Sequence, residues 1–333
     1  MATFDAAKGT VAGAAEPVAI PGVVARSPWS LAGRRLRHDR VALASVVFIL
    51  LLFVFALAAP VFENWTGHPV NKSNPAGTDD LTLLPVGPMT NCHVNGQWRV
   101  GSNDCFVLGA SNVRGNDMLV QLSYGARTSL LIGFTSTILV LILALFFGLV
   151  AGFFGGVADT VISRLIDVIA AFPFLLFAIT MSVTFGASRA TVIGIIAFFS
   201  WFYPARIFRA EVLALREREF VAAARMLGAS NTRILTKHIM PHLMGPAIVY
   251  GTLAISAAIG FEAALSFLGF GLPVDVPSWG RMISDAVPGG LYRNDPHLMV
   301  FPGTLLVLTV LAFNLLGDGL RDAFDPRGSG SRS

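Results

Sequence analysis

The sequence predicts an all-α integral membrane protein with six transmembrane helices, and three observations carry that class. The chain has 333 residues, of which 54% are hydrophobic and only 13% charged, whereas soluble domains carry about a quarter charged residues. Mean hydropathy is +0.67. The charges gather between long uncharged runs, the pattern of spans alternating with loops.

Residues 1–28 are rich in Ala, Gly, Val and Pro. They lack a basic segment followed by an apolar run, so they read as a disordered cytoplasmic tail and not as a cleaved signal. "WSLAGRRLRHDR" (29–40) reads as a basic amphipathic segment on the inner membrane surface. Residues 1–40 form one unit on this basis. The first span is expected over 41–62, Val41–Phe62. A long outer loop, 63–118, follows, rich in Asn, Gly, Pro and Thr.

Five further spans fall within a core of residues 119–320. Thr128–Ala158 is long, and its glycines Gly148, Gly152, Gly155 and Gly156 are expected to leave the membrane. Val168–Ser188, Ile239–Phe261 and Leu298–Gly317 are near the roughly 20 residues that a span needs. Ala190–Ala205 is shorter and continues past Arg206 if that side chain snorkels. Residues 321–333 are expected as a C-terminal cytoplasmic tail.

With the N-terminus inside, 17 of the 24 Lys and Arg residues fall on inner segments. That bias places both termini in the cytoplasm. The net charge of +4 comes from residues at membrane edges. Membrane lipid explains them, and no nucleic-acid partner is implied.

The two cysteines, Cys92 and Cys105, both lie in the outer loop, where oxidation is permitted. Their spacing favours a disulfide that closes a small loop. Only His93 is nearby, which argues against a metal site.

A phosphate-cradling loop needs Gly-Lys-Ser/Thr. The three lysines, Lys8, Lys72 and Lys237, follow Ala, Asn and Thr, so any ATP must be hydrolysed by another chain. His238 and His242 stand four apart with no carboxylate between them, and Pro241 disfavours a regular helix there. Capping and packing suit them better than a metal.

Ionisable residues within spans are functional candidates. Asp167 can pair with Arg164, Glu211 follows Arg209, and Glu262 ends the fifth span on the outer side. All three acids lie at span ends, with water or an Arg in reach. No chain of acids crosses the membrane, so a proton relay is not indicated. "LSFLGFGLPVDVPSWG" (265–280) has the composition of a re-entrant or interfacial segment. Glu262, Phe267, Phe270 and Trp279 are the candidate pathway or gate residues.

"LREREFVAAARMLG" (215–228) sets Phe220, Ala224 and Leu227 at helical spacing. Gly228 is a helix stop, and Asn231 or Thr232 can cap a second short helix running towards Pro241. A helix–turn–helix on the inner face, small and apolar on one side, is a docking element for a groove on a partner.

"AARMLGASNTRILTKHIMP" resembles the cytoplasmic Glu-Ala-Ala loop of ABC-importer permeases. "GFFGGVADTVISRLIDVIAAFP" (152–173), "LSFLGFGLPVDVPSWG" and "GDGLRDAFDP" (317–326) are similar to the C-type permease subunit of dipeptide/oligopeptide importers. The resemblance implies a type I importer permease fold in a bacterial cytoplasmic membrane. The coupling loop would span about 212–241 and include Glu219, Ala222, Ala223, Ala224, Leu227, Gly228, Ala229, His238 and Pro241. Ala222 stands where the family carries Glu.

The resemblance further implies a homologous second permease, two ATPase subunits that hold ATP and Mg, and an extracytoplasmic binding protein. No cofactor is implied for this chain. Peptides are the main substrate class of such machines, and relatives import nickel, glutathione, sugars or haem. A membrane-embedded enzyme should show a convergent nucleophile, base or metal set, and none is seen. A scaffold has no need of a structured inner loop.

Overall fold

A computed structural model describes residues 33–79, 81–94, 97–98 and 105–324. The tail expected over 1–28, Asp80 and the residues beyond 324 lie outside the described residues. The chain is helical. The first helix, α1 (Arg40–Leu57), starts where the Asp39 carboxylate accepts the Val41 and Ala42 amides at 2.9 and 3.2 Å. A short α2 (Ala59–Thr66) follows after a break at Ala58. The outer segment then carries a two-residue hairpin, β1 (His93–Val94) with β2 (Gln97–Trp98).

The central helix, α3 (Met118–Phe154), is 37 residues long. It starts ten residues before the expected span, because Asp117 caps it through the Leu119 and Val120 amides at 2.8 and 3.2 Å. It ends at Phe154, four residues short of the expected Ala158. Gly148 and Gly152 lie inside it and let α7 (Phe202–Arg216) approach. A Cβ on Gly148 would stand 2.8 Å from Cβ of Phe208, and one on Gly152 would stand 2.7 Å from Cβ of Val212. Two small residues four apart are a standard device for close helix contact in lipid. The break comes at Gly155, with φ +64°.

Helices α4 (Gly156–Ala171) and α5 (Phe174–Phe185) meet at 83°, so the expected straight span Val168–Ser188 is a bent pair. Pro173 is the cause, since the residue before a proline is driven out of the helical region, and Phe172 is extended at ψ 132°. The fourth expected span is likewise α6 (Arg189–Ser200) and α7, bent by 41°. The ring of Pro204 in the first turn of α7 denies Ser200 a helical donor.

The segment expected as a coupling loop holds α8 (Glu219–Met226). Helix α9 (Asn231–Phe267) continues without a break into the membrane. The expected second short helix is therefore the first turns of a span. Its start is capped by Ser230, whose Oγ accepts the Arg233 amide at 3.4 Å, and not by Asn231 or Thr232. A π-helical stretch, Ile234–Ile239, absorbs the missing donor of Pro241.

After α9 the chain folds back as α10 (Trp279–Asp285), and α11 (His297–Phe324) completes the bundle. Residues 321–324, expected as tail, are the last turn of α11. Helices α1, α3, α9 and α11 are each long and apolar enough to cross a membrane, and the two bent pairs make six if each is one span.

Candidate coupling element and solute path

Helix α8 buries Val221 and Ala224 against Val212, Phe153, Ile234, Ile239 and Leu243. The Arg225 guanidinium lies 5.6 Å from the centre of the Phe153 ring, pinning α8 to the end of α3. The three residues expected together on one apolar docking face, Phe220, Ala224 and Leu227, are divided. Only Ala224 points in, and Leu227 is 88% exposed. The exposed face of α8 presents Glu219, Ala222 and Ala223, with Met226 and Leu227 at its tip.

The turn after α8 is closed by the Ala229 amide donating to the Ala224 carbonyl at 3.0 Å and the Gly228 amide donating to Arg225 at 2.9 Å. Gly228 adopts φ +77°, the conformation that this kind of cap requires. His238 is half-buried and Pro241 exposed, both in the first turns of α9. The His242 ring lies 5.4 Å from Phe220, and no metal-binding group of His, Cys, Asp or Glu occurs among the described residues.

Ion pairs brace this end. Arg206 meets Asp167 at 2.8 Å, nearer than Arg164 at 3.6 Å, and Arg209 pairs with Asp159. Both tie α7 to α4. Arg216 donates to the Gly152 and Phe153 carbonyls at 3.3 Å and caps α3.

The candidate gate residues divide. Glu262 is fully buried, with no Arg or open surface beside it. It accepts from Ser129 at 2.9 Å and Ser266 at 2.8 Å. The expectation of water or an Arg within reach fails because α10 folds over this level. Trp279, also fully buried, donates to the Leu122 carbonyl at 3.2 Å and packs on Gly125, so it anchors α10 and faces no open path. Phe267 is exposed and Phe270 half-exposed.

At the opposite end from α8, the segment expected as an outer loop docks on the start of α3. His68 and Asp117 pair at 2.7 Å, both buried, and His68 stacks on Phe106. Asn116 and Gln121 hold the Val70 carbonyl at 3.2 and 2.6 Å. Cys92 and Cys105 are bonded, with Cα atoms 4.5 Å apart.

The open space lies elsewhere. A cleft of about 490 Å³ runs among α3, α6, α7, α9 and α11, walled by Val140, Ile196, Phe199 and Phe261. Its polar groups are Thr137, Ser200, Tyr203, Tyr250 and Arg321. A second cleft of about 290 Å³ lies towards the α8 end. It shares Tyr250, Leu253 and Arg321 with the first and adds Glu211. Sequence reasoning missed this constellation because it draws on five helices. Two of its members stood out in the sequence, Glu211 as an acid at a span end and Arg321 as a cation at the end of a span.

Residues 144–329 match the family described as binding-protein-dependent transport system inner membrane component. Residues 27–84 match the N-terminal transmembrane domain of oligopeptide transport permease C. The oligopeptide transport system permease protein OppC of Bacillus subtilis is 34% identical over 310 residues, covering 90% of each chain. The dipeptide transport system permease protein DppC of Alkalihalophilus pseudofirmus is 35% identical over 301 residues, again 90% of each. The glutathione transport system permease protein GsiD of Pectobacterium atrosepticum is 35% identical over 306 residues, covering 91% of this chain and 92% of its own. A chain of the inward-facing MetNI methionine ABC transporter shares the fold with TM-score 0.50 and 19% identity, over 62% of this chain and 97% of that one.

Proposed function

Because the chain belongs to the family of binding-protein-dependent transport system inner membrane components, we propose that it is a permease subunit passing dipeptides or oligopeptides across the cytoplasmic membrane. The observation that carries this is α8. It is a short helix packed on one side against α3 and α9, with a bare small and apolar tip on the other. Such a tip fits a groove on an ATPase subunit. Closure of the ATPases then levers α8, and through it α3, α7 and α9.

A homologous second permease and two ATPases complete the machine in this reading, and ATP and Mg belong to those partners. The Lys and Arg bias supports an orientation with both termini inside and the Cys92–Cys105 segment outside. There the disulfide holds a firm landing surface for the binding protein.

The peptide assignment rests on the relatives' substrates, and two of the three above carry dipeptides or oligopeptides. Nickel, sugar and haem are the other solutes considered, and glutathione is itself a tripeptide. The test is reconstitution. The chain, copurified with its ATPases and supplied with its binding protein, should take labelled dipeptide into vesicles in an ATP-dependent way. Absence of any ATPase from the purified complex sinks the reading. A non-peptide ligand on the binding protein replaces the substrate.

A further inference from the structure

The two clefts described above meet at Arg321. Among the described residues neither Arg321 nor Glu211 makes an ion pair. Thr137 is 4% exposed, its hydroxyl has no partner among the described residues, and it lines the larger cleft. A buried hydroxyl left unpaired is costly. At about 490 Å³, the cleft is within the range of about 300–1,000 Å³ that holds small ligands.

A zwitterion that crosses an apolar bundle loses the hydration of both charges, and each needs a counter-charge on the way. We infer that Arg321, which lines the larger cleft together with Tyr203 and Tyr250, forms a transit site for the carboxylate of a zwitterionic solute, and that Glu211 takes its ammonium on the α8 side. Phe199, Phe261 and Ile196 offer an apolar wall to side chains of any shape. Guanidinium is the group best fitted to a planar carboxylate. The inference rests on the peptide-import reading and extends it to a site within this subunit.

The experiment uses the full complex in proteoliposomes with the dipeptide Ala-Phe as probe, reading uptake and ATP hydrolysis together. Arg321→Gln should lower uptake roughly tenfold, the size of one lost charge-assisted hydrogen bond. Hydrolysis stimulated by the loaded binding protein should persist, so that more ATP is spent per peptide. Arg321→Lys keeps the charge but not the planar fork and should restore part of the uptake. Unchanged uptake in Arg321→Gln overturns the proposal. So does a parallel fall of uptake and hydrolysis that Arg321→Lys does not repair, the mark of a structural role. Where Arg321→Gln fails to assemble, Tyr203→Phe and Glu211→Gln decide, and unchanged uptake in both rejects the site. No uptake by the wild-type complex would reject the peptide reading first and the site with it.

Discussion

Gly228 sits at φ +77° with nothing within 4 Å of the position its Cβ would take. Substitution there costs backbone strain and not collision. Asn enters the left-handed region readily and a β-branched residue does not. Gly228→Val should therefore tilt α8 and cut transport about tenfold, the effect of roughly 1.4 kcal/mol of strain, while Gly228→Asn transports near the wild-type rate. Equal rates for the two variants in reconstituted vesicles would show that the turn is not the coupling element. Ala222 is exposed, so Ala222→Glu, which restores the family's acid, meets no packing penalty and should keep or strengthen ATPase docking in a pull-down. Asp79 illustrates a charge held by backbone. The Thr82 and Leu81 amides donate to its carboxylate and keep its pKa below the ordinary aspartate value. The folded value is the lower one, so this local stabilisation is complete above the ordinary pKa and lost as pH falls through the folded one. Protection of the Leu81 and Thr82 amides, taken relative to the intrinsic exchange rate at each pH, should fall over that acid range and stay flat above it. At this scale the sequence was legible where one residue has one conformational reason, as with Gly228 after a helical stripe. It was not legible at Glu262 or Trp279, whose burial depends on α10 folding back onto α3 and α9.

Helix α3 is where reading by element succeeded and failed together. Its apolar run announced a span, but the sequence did not show that Gly148 and Gly152 are the contact with α7. A glycine looks the same in sequence whether it ends a helix or admits a neighbour, and only the partner's Phe208 and Val212 decide it. Gly152→Leu should force α7 away, with an overpacking cost of about 1–3 kcal/mol. The purified complex should then unfold at a lower temperature, and Gly260→Leu, where nothing lies within 4 Å, should not. Equal melting of the two would refute the close contact. The bent pairs were partly legible. Pro173 and Pro204 were visible, but an apolar run says only that a segment is greasy, and the 83° angle between α4 and α5 leaves hydropathy unchanged. The α4–α7 ion pairs escaped in the same way, since Asp159 and Arg209 lie 50 residues apart.

Across the whole molecule the two ends differ in kind. One end carries α8, the α4–α7 ion pairs and the neck of the clefts. The other carries a cap fixed to α3 by His68, Asp117, Asn116 and Gln121 and by the Cys92–Cys105 bond, which closes a 13-residue interval and contributes on the order of 3 kcal/mol to the cap. Helix α3 joins the ends over about 55 Å at 1.5 Å per residue, enough to reach from one side of a bilayer to the other. The asymmetry gives each side a different task, so orientation is the most exacting test of the proposal. Leu81 in the cap is 94% exposed and Leu227 at the tip of α8 is 88% exposed, and the native cysteines are already bonded to each other. A single new cysteine at either site is then the only free thiol among the described residues. Applied to intact cells, an impermeant maleimide should label Leu81→Cys without reductant and leave Leu227→Cys untouched, with the pattern reversed in inverted vesicles. ATPase binding should in turn protect Leu227→Cys in those vesicles, because the proposed groove covers that tip. Labelling of Leu227→Cys from outside would place α8 where no ATPase can reach it, and the coupling role would fall with the orientation.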